Sequence, residues 1–301
     1  MSQRIDLAAI DNDIAQASNR IIKNAFAYGI TNDMVFGGIE AEQTSLQAIT
    51  AISATQNCRL GTRRVTWDGM VYRYTEAEAT LKTTYLAHSS NSRQEVGYSI
   101  VTTGALAGAN SIIFTLDGSD GDGSGGLAVN YLADGFICID MGQTNADALY
   151  QMRIKSNTAV TGGGACTVVV DGVFPLAVTD AMYVEAMASP YKGLTNEGLT
   201  GKHVSYMGLP QRAATTSYPY SWILTWGPCW VTPNNGLATV NLGNSDYVSQ
   251  VVAHPTVYGG SVGAHDDGYA LSEYMQHVGF VLSWAQAGTQ GAPFIMLQIS
   301  P

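Results

Sequence analysis

The chain has 301 residues, 33 of them glycine; 46% are hydrophobic and only 13% are Asp, Glu, Lys or Arg. That charged share is about half the ordinary ~25%, which excludes a disordered chain, and no apolar run of ~18 residues or three-residue glycine period supports a spanning helix or a collagen repeat. The net charge of -10, from 14 cations and 24 carboxylates, argues against nucleic acid, which demands clustered cations, so neither nucleic acid nor a membrane is an expected partner.

The charge is unevenly placed. Residues 1–93 carry nine cations and nine carboxylates, and the remainder carries five and fifteen. No Lys or Arg follows Arg212. Ordinary surfaces mix both signs, so the C-terminal part is expected to hide surface or to expose a neutral polar one.

In chain order, the first pattern is helical. Ile10, Ile14, Ala17, Ile21 and Ala25 recur at spacings of four, three, four and four, a narrow apolar stripe. Asp6 suits its N-cap and Gly29 its end. A second helical pattern, Ile39, Glu42, Leu46, Ile49 and Ile52, follows Gly37-Gly38. Neither face is wide enough to stand alone, so residues 1–57 read as a helical arm that needs a partner surface. The N-terminus carries acids and lacks an apolar h-region, so synthesis in a cytoplasm is expected.

From Cys58 the texture changes. Short β-branched and aromatic runs alternate with Gly, Asn, Asp and Ser: residues 64–67, 70–74, 111–115, 135–139, 150–154, 166–170, 221–226, 247–252, 278–282 and 294–299. Asp68-Gly69 predicts a type I′ hairpin turn between the first two, and Asp180–Met187 is read as strand. The expected fold is mainly β, an antiparallel sandwich or barrel body carrying the N-terminal helical arm. Residues 58–190 form a β domain, and 191–301 form a second one or continue the same body. A boundary is placed in Ala188–Thr200. No fixed-period repeat supports a solenoid or propeller.

Candidate chemistry is sparse. Cys58, Cys138, Cys166 and Cys229 form no C-x-x-C motif and read as buried free thiols. Asp117, Asp120 and Asp122 lie in a glycine-rich loop that offers oxygens to a hard cation, but an EF-hand count from Asp120 puts Tyr131 where Glu belongs. A solvated hairpin tip is the competing reading. His265-Asp266-Asp267 suits a metal or a base, yet neighbours in a strand face opposite ways and glycines flank the group, which suits a polar loop. His88, His203, His254 and His277 show no metal-type pairing, and neither a G-x-S-x-G elbow nor a phosphate loop occurs. No cofactor and no catalytic residue is expected. Tyr218, Tyr220, Trp222, Trp226 and Trp230 form the one aromatic cluster. Tyr220, Trp222, Leu224 and Trp226 fall on one strand face, either a core face or a platform for sugar rings. Arg59, Arg63, Arg64 and Arg73 form the one cationic concentration, either a strip for an acidic partner or a balance for Glu76 and Glu78.

Leu60-Gly-Thr-Arg63, Trp67-Asp-Gly69 and Tyr72-Arg-Tyr74 together resemble an L-G-x-R … D-G-x-x-Y-R-Y signature of tailed-bacteriophage virion structural proteins. Tyr131–Ile137 with Tyr150–Lys155, and Tyr220–Pro228, are similar to the same group, so scattered motifs span about residues 58–300. The resemblance implies a capsid decoration or cement protein rather than an enzyme, made in the host cytoplasm and located in the virion. The expectation is a homo-oligomer, with a trimer favoured, bound to the major capsid protein. Ile10, Ile14 and Ile21 of the arm and Arg59, Arg63, Arg64 and Arg73 would face the shell. The alternatives are a head or tail fibre that binds glycans through Tyr220, Trp222 and Trp226, and a β-rich polysaccharide hydrolase with acids gathered in a cleft.

Overall fold

A computed structural model describes residues 47–89, 95–121, 124–140, 149–180, 182–196, 205–232, 250–254, 260–264, 276–283 and 294–301. Among them are sixteen β-strands and no helix, so the chain is mainly β. The arm pattern of Ile10, Ile14 and Ile21 lies outside the described residues. The second helical pattern reaches into them and is corrected there. Residues 47–57 form a turn and irregular chain, and Ser53 bridges Tyr220. Tertiary bonds override the local period. The Gln47 carbonyl accepts from Trp222 Nε1 at 2.8 Å and Arg64 Nη1 at 3.1 Å. Its side chain donates to Tyr220 O at 3.0 Å and accepts from the Tyr74 hydroxyl at 2.8 Å. Ile49 and Ile52 then pack on two different core clusters.

The chain opens its sheet with β1 (Arg63–Val65), β2 (Val71–Glu76) and β3 (Ala87–Ser89). It then builds a closed antiparallel barrel from β4 (Val96–Thr103), β5 (Ser111–Leu116), β6 (Phe136–Asp140), β7 (Leu149–Asn157), β8 (Gly164–Val170) and β9 (Tyr183–Met187). The order around it is β4-β5-β8-β7-β6-β9. Burial alternates with period two, as a half-buried strand requires: β5 buries Ile112, Phe114 and Leu116, and β6 buries Ile137 and Ile139. Closure leaves the barrel without an exposed edge to pair with another chain.

The sheet resumes with β10 (Leu194–Thr195), β11 (Tyr206–Pro210), β12 (Tyr220–Trp230), β13 (Gln250–His254), β14 (Ser261–Ala264), β15 (His277–Ser283) and β16 (Phe294–Gln298). Because β10 pairs with β3, Leu194 opposite Ser89, the barrel is an insertion whose two ends leave and re-enter the sheet side by side. The described part of the expected boundary, residues 188–196, holds this return. The sheet order is β10-β3-β11-β12-β16-β15-β13-β14, with β2 and then β1 on the other edge of β12. Its far ends meet. Leu86 N donates to Gly260 O at 2.8 Å, and one core gathers Leu86 and Tyr206 with Trp222, Ala253, Val262, Val278 and Leu297. The sheet is therefore rolled onto itself. Gly260 has φ +82, and a Cβ there would lie 2.0 Å from the Leu86 carbonyl oxygen, so the closure requires glycine.

The β1–β2 hairpin forms where expected, with Arg63 opposite Arg73 and Val65 opposite Val71. Its turn type is corrected. Gly69 has φ +83, whereas Asp68 does not have positive φ. Gly69 N donates to Thr66 O at 2.9 Å, and Thr66 N to Met70 O at 3.0 Å. The loop is thus three residues, Trp67-Asp68-Gly69, a type I turn closed by one left-handed glycine. Thr66 Oγ1 bonds the Asp68 carboxylate, which holds Asp68 in the right-handed region.

Candidate functional site

The arginines of the hairpin region are the natural starting point, since charge is scarce. Arg59 Nε donates to Asp134 Oδ1 at 2.8 Å, and a terminal nitrogen bonds Asp171. Burial works against the Arg59 charge, but the bonds to Asp134 and Asp171 outweigh it and hold the guanidinium above its ordinary pKa. Arg64 donates to Gln47 O, with its guanidinium carbon 5.9 Å from the Trp222 ring centroid. Arg73 donates to Gly61 O at 3.2 Å, Ser300 Oγ at 3.2 Å and Pro301 O at 2.9 Å, and burial lowers its pKa. Three of the four arginines therefore donate inside the chain, with Arg64 Nε and Arg73 Nε buried without a partner. Arg63 lies half-buried at the hairpin's edge. Glu76 is pushed up by burial, with Lys192 pulling the other way, so its opposing cation is not one of these arginines.

Asp134 is the hub that joins barrel and sheet, and nothing in the local sequence marks it. It is 7% exposed, with φ 64. Besides Arg59 it accepts from Leu60 N at 2.9 Å and Gln56 Nε2 at 3.0 Å, while Arg153 lies at 3.5 Å and donates to Leu60 O at 2.7 Å. Lys192 reinforces the same seam, donating to Tyr131 O at 2.8 Å with its ammonium 4.2 Å from the Tyr131 ring centroid.

The base of the hairpin is thus locked, and its tip carries Trp67, 85% exposed. Water rarely meets so much of an indole on a settled surface. From sequence, Trp67 falls at the end of the strand run 64–67 and within the signature, with no role of its own. The signal is nonetheless present: an aromatic in a Trp-Asp-Gly tip has no alternating strand position to bury it.

The other candidates are placed as follows. Asp120 is 4% exposed, and both its oxygens are filled by protein donors: Gly97 N at 2.9 Å on Oδ1, Asp117 N at 2.9 Å and Ser99 Oγ at 3.1 Å on Oδ2. Asp117 accepts from Ser119 N and Oγ, each at 2.6 Å, and these bonds lower its pKa. These carboxylates close the turn after β5. Asp122 lies outside the described residues, as do His203 and His265-Asp266-Asp267. Among the described residues no three His, Cys, Asp or Glu side chains converge as a metal set. His88 is buried, its ring 5.4 Å edge-on from Tyr206. The four cysteines are free, two buried and two half-buried.

The aromatics of β12 separate. Trp222 is fully enclosed, 5.1 Å edge-on from Tyr74, with its indole nitrogen donating to Gln47 O. Tyr220 is half-buried and stacked on Tyr74 at 6.2 Å, and Trp226 is half-buried. Ser221, Ile223 and Thr225 on the other face are buried too. β12 is central, with β2 along one edge and β11 and β16 along the other, and both its faces are packed: Trp222 and Leu224 lie in one core cluster and Ile223 in another. Trp222 has no face open to a sugar.

No known protein family, curated protein sequence or solved structure matches this chain.

Proposed function

We propose that this chain is a non-enzymatic structural protein of a bacteriophage particle, which decorates or cements the capsid as a homo-oligomer, with a trimer favoured, and docks through the β1–β2 hairpin. The observation that carries this reading is Trp67, 85% exposed at the tip of a hairpin whose base is tied down by Arg59, Arg64 and Arg73. A rigid mount and an exposed indole are what an interface anchor needs, because little conformational freedom is lost on binding.

The phage-like signature supports the reading from the other direction. Its Leu60, Tyr72 and Tyr74 are buried and build the hairpin, and Gly61 N donates to Tyr74 O at 2.8 Å. The signature thus frames Trp67. The low charge fits a subunit that covers much of its surface with neighbours. The glycan-binding fibre has less support, because Trp222 is enclosed.

The test is sedimentation of the purified full chain with particles assembled without it. Co-sedimentation at a copy number that scales with capsid subunits is expected. A chain that stays in the supernatant, or that binds in a few copies at one vertex, contradicts the reading.

A further inference from the structure

We propose that the outer face of the barrel around Tyr98 is a second docking surface, which accepts an arginine- or lysine-bearing segment of a different protein. The inference stands apart from the hairpin and does not depend on a capsid.

It starts from backbone strain. Tyr98 has φ 55, a left-handed conformation that a bulky side chain rarely adopts. The strain is maintained by Asp120, whose two oxygens grip the residues on either side of it, Gly97 through its N–H and Ser99 through its hydroxyl. The register of β4 against β9 breaks between Val96 and Ser99 at the same point, a bulge that puts Gly97 and Tyr98 across from Glu185. The outcome is a tyrosine turned outward and 53% exposed, stacked on Tyr183 with centroids 4.1 Å apart and planes 10° from parallel. One ring face is covered by Tyr183, and the rest of Tyr98 stays in water.

The surroundings define the ligand. Ile100 pairs with Tyr183, which pairs with Asp140, which pairs with Leu149, so one row of side chains crosses β4, β9, β6 and β7. Ile100 and Leu149 are exposed at its two ends. Glu185 is exposed one step along the same face of β9. Burial, then Glu185, then Asp140 push the Cys138 thiol up, so both carboxylate charges are felt there. An aromatic face beside carboxylates, in a chain of net charge -10, is the chemistry that holds a guanidinium or ammonium group: the ring quadrupole meets the cation face-on and the carboxylate pairs with it. The apolar ends suit the aliphatic stem of the same side chain. Five of the chain's 14 cations, Arg59, Arg64, Arg73, Arg153 and Lys192, bond within it, and a net charge of -10 opposes the approach of a second copy. A different protein is therefore the source.

The experiment is calorimetric titration of the full chain with a blocked tetra-arginine peptide, and separately with maltohexaose, at low salt. Tyr98→Asn is the informative variant, because Asn tolerates the left-handed region and offers no ring face; its melting temperature reports that the fold is kept. Peptide binding weakened about threefold to fivefold by Tyr98→Asn and by Glu185→Gln, and unchanged by Glu78→Gln on the sheet, is the expected result. Equal weakening by Glu185→Gln and Glu78→Gln with none by Tyr98→Asn reduces the binding to general charge and overturns the proposal. Maltohexaose binding that Tyr98→Asn abolishes, without peptide binding, assigns the face to carbohydrate and also overturns it. Self-association that depends on Tyr98, seen by sedimentation equilibrium, overturns the assignment to a different protein.

Discussion

Asp134 shows what one residue decides. Its carboxylate receives Leu60 N, Gln56 Nε2 and Arg59 Nε, with Arg153 beside it, in a conformation with φ 64. Asp134→Ala removes the charge, leaves the buried Leu60 N–H without its acceptor and places an alanine in the left-handed region, so a loss of about 3 kcal/mol is expected in urea unfolding. Asp134→Asn keeps an acceptor and tolerates that region, and its expected loss is about half as large. A neutral result for Asp134→Ala would show that the seam contributes nothing. The thiols are a second case. Burial pushes Cys166 up to about 11 and Cys229 up to about 12. The thiolate is the reactive form, so at pH 8 neither is expected to be alkylated by iodoacetamide until the chain is unfolded, as peptide mass spectrometry would record. Residue-scale features like Asp134 and Tyr98 were not legible in the sequence, because each depends on partners roughly 20 to 80 positions away. In the Asp117–Asp120 turn the bonds of exposed Asp117 to Ser119 are local, while Asp120 is buried against β4.

At the scale of elements, strand positions were legible wherever apolar residues alternate and turn residues bound the run, as in β5, β6 and β8. Two readings went wrong, one because long-range partners outvote local pattern and one because a local side-chain bond resets a turn. The helical period through Ile49 and Ile52 yielded to the bonds of Gln47. Asp68-Gly69 suggested a two-residue loop, but the ladder ends one residue earlier and the side chain of Asp68 is held by Thr66. Glycines test the turns and crossings separately. Gly69 has φ +83, and a methyl group there would meet nothing within 4 Å, so Gly69→Ala costs backbone strain alone, about 1 kcal/mol. Gly260→Ala sets its methyl carbon against the Leu86 carbonyl and opens the rolled sheet, so an expected loss above about 2 kcal/mol separates the two in thermal melts. Equal losses would mean that the Leu86–Gly260 closure is soft.

At the largest scale the described residues form a closed barrel inserted into a rolled sheet, and that topology was beyond sequence reading. Strands near residue 88 and residue 195 look unrelated until they pair. The class, mainly β, was legible; the nesting was not, since pairing order leaves no local trace. The rolled sheet carries a pH dependence of its own. Burial pushes the phenols of Tyr74 and Tyr206 up to about 12, against an ordinary value of about 10. Below pH 10 folded and unfolded chains are both protonated there, and full stability is expected. Between about 10 and 12 the unfolded chain ionises while the fold resists, so stability falls by roughly 2 to 3 kcal/mol for each phenol. Tyr206→Phe is expected to flatten that decline in urea midpoints taken from about pH 9 to 12, and an unchanged slope would remove the buried phenol as its cause. The central claim concerns assembly, and it rests on an exposed indole held by a locked hairpin. Its most direct test is the binding curve of Trp67→Ala to particles lacking the protein, set beside the wild-type curve. Since the substitution touches only solvent, an unchanged melting temperature and binding weakened by about thirtyfold are expected. Trp67→Ala that fills the particles at the wild-type concentration contradicts the account.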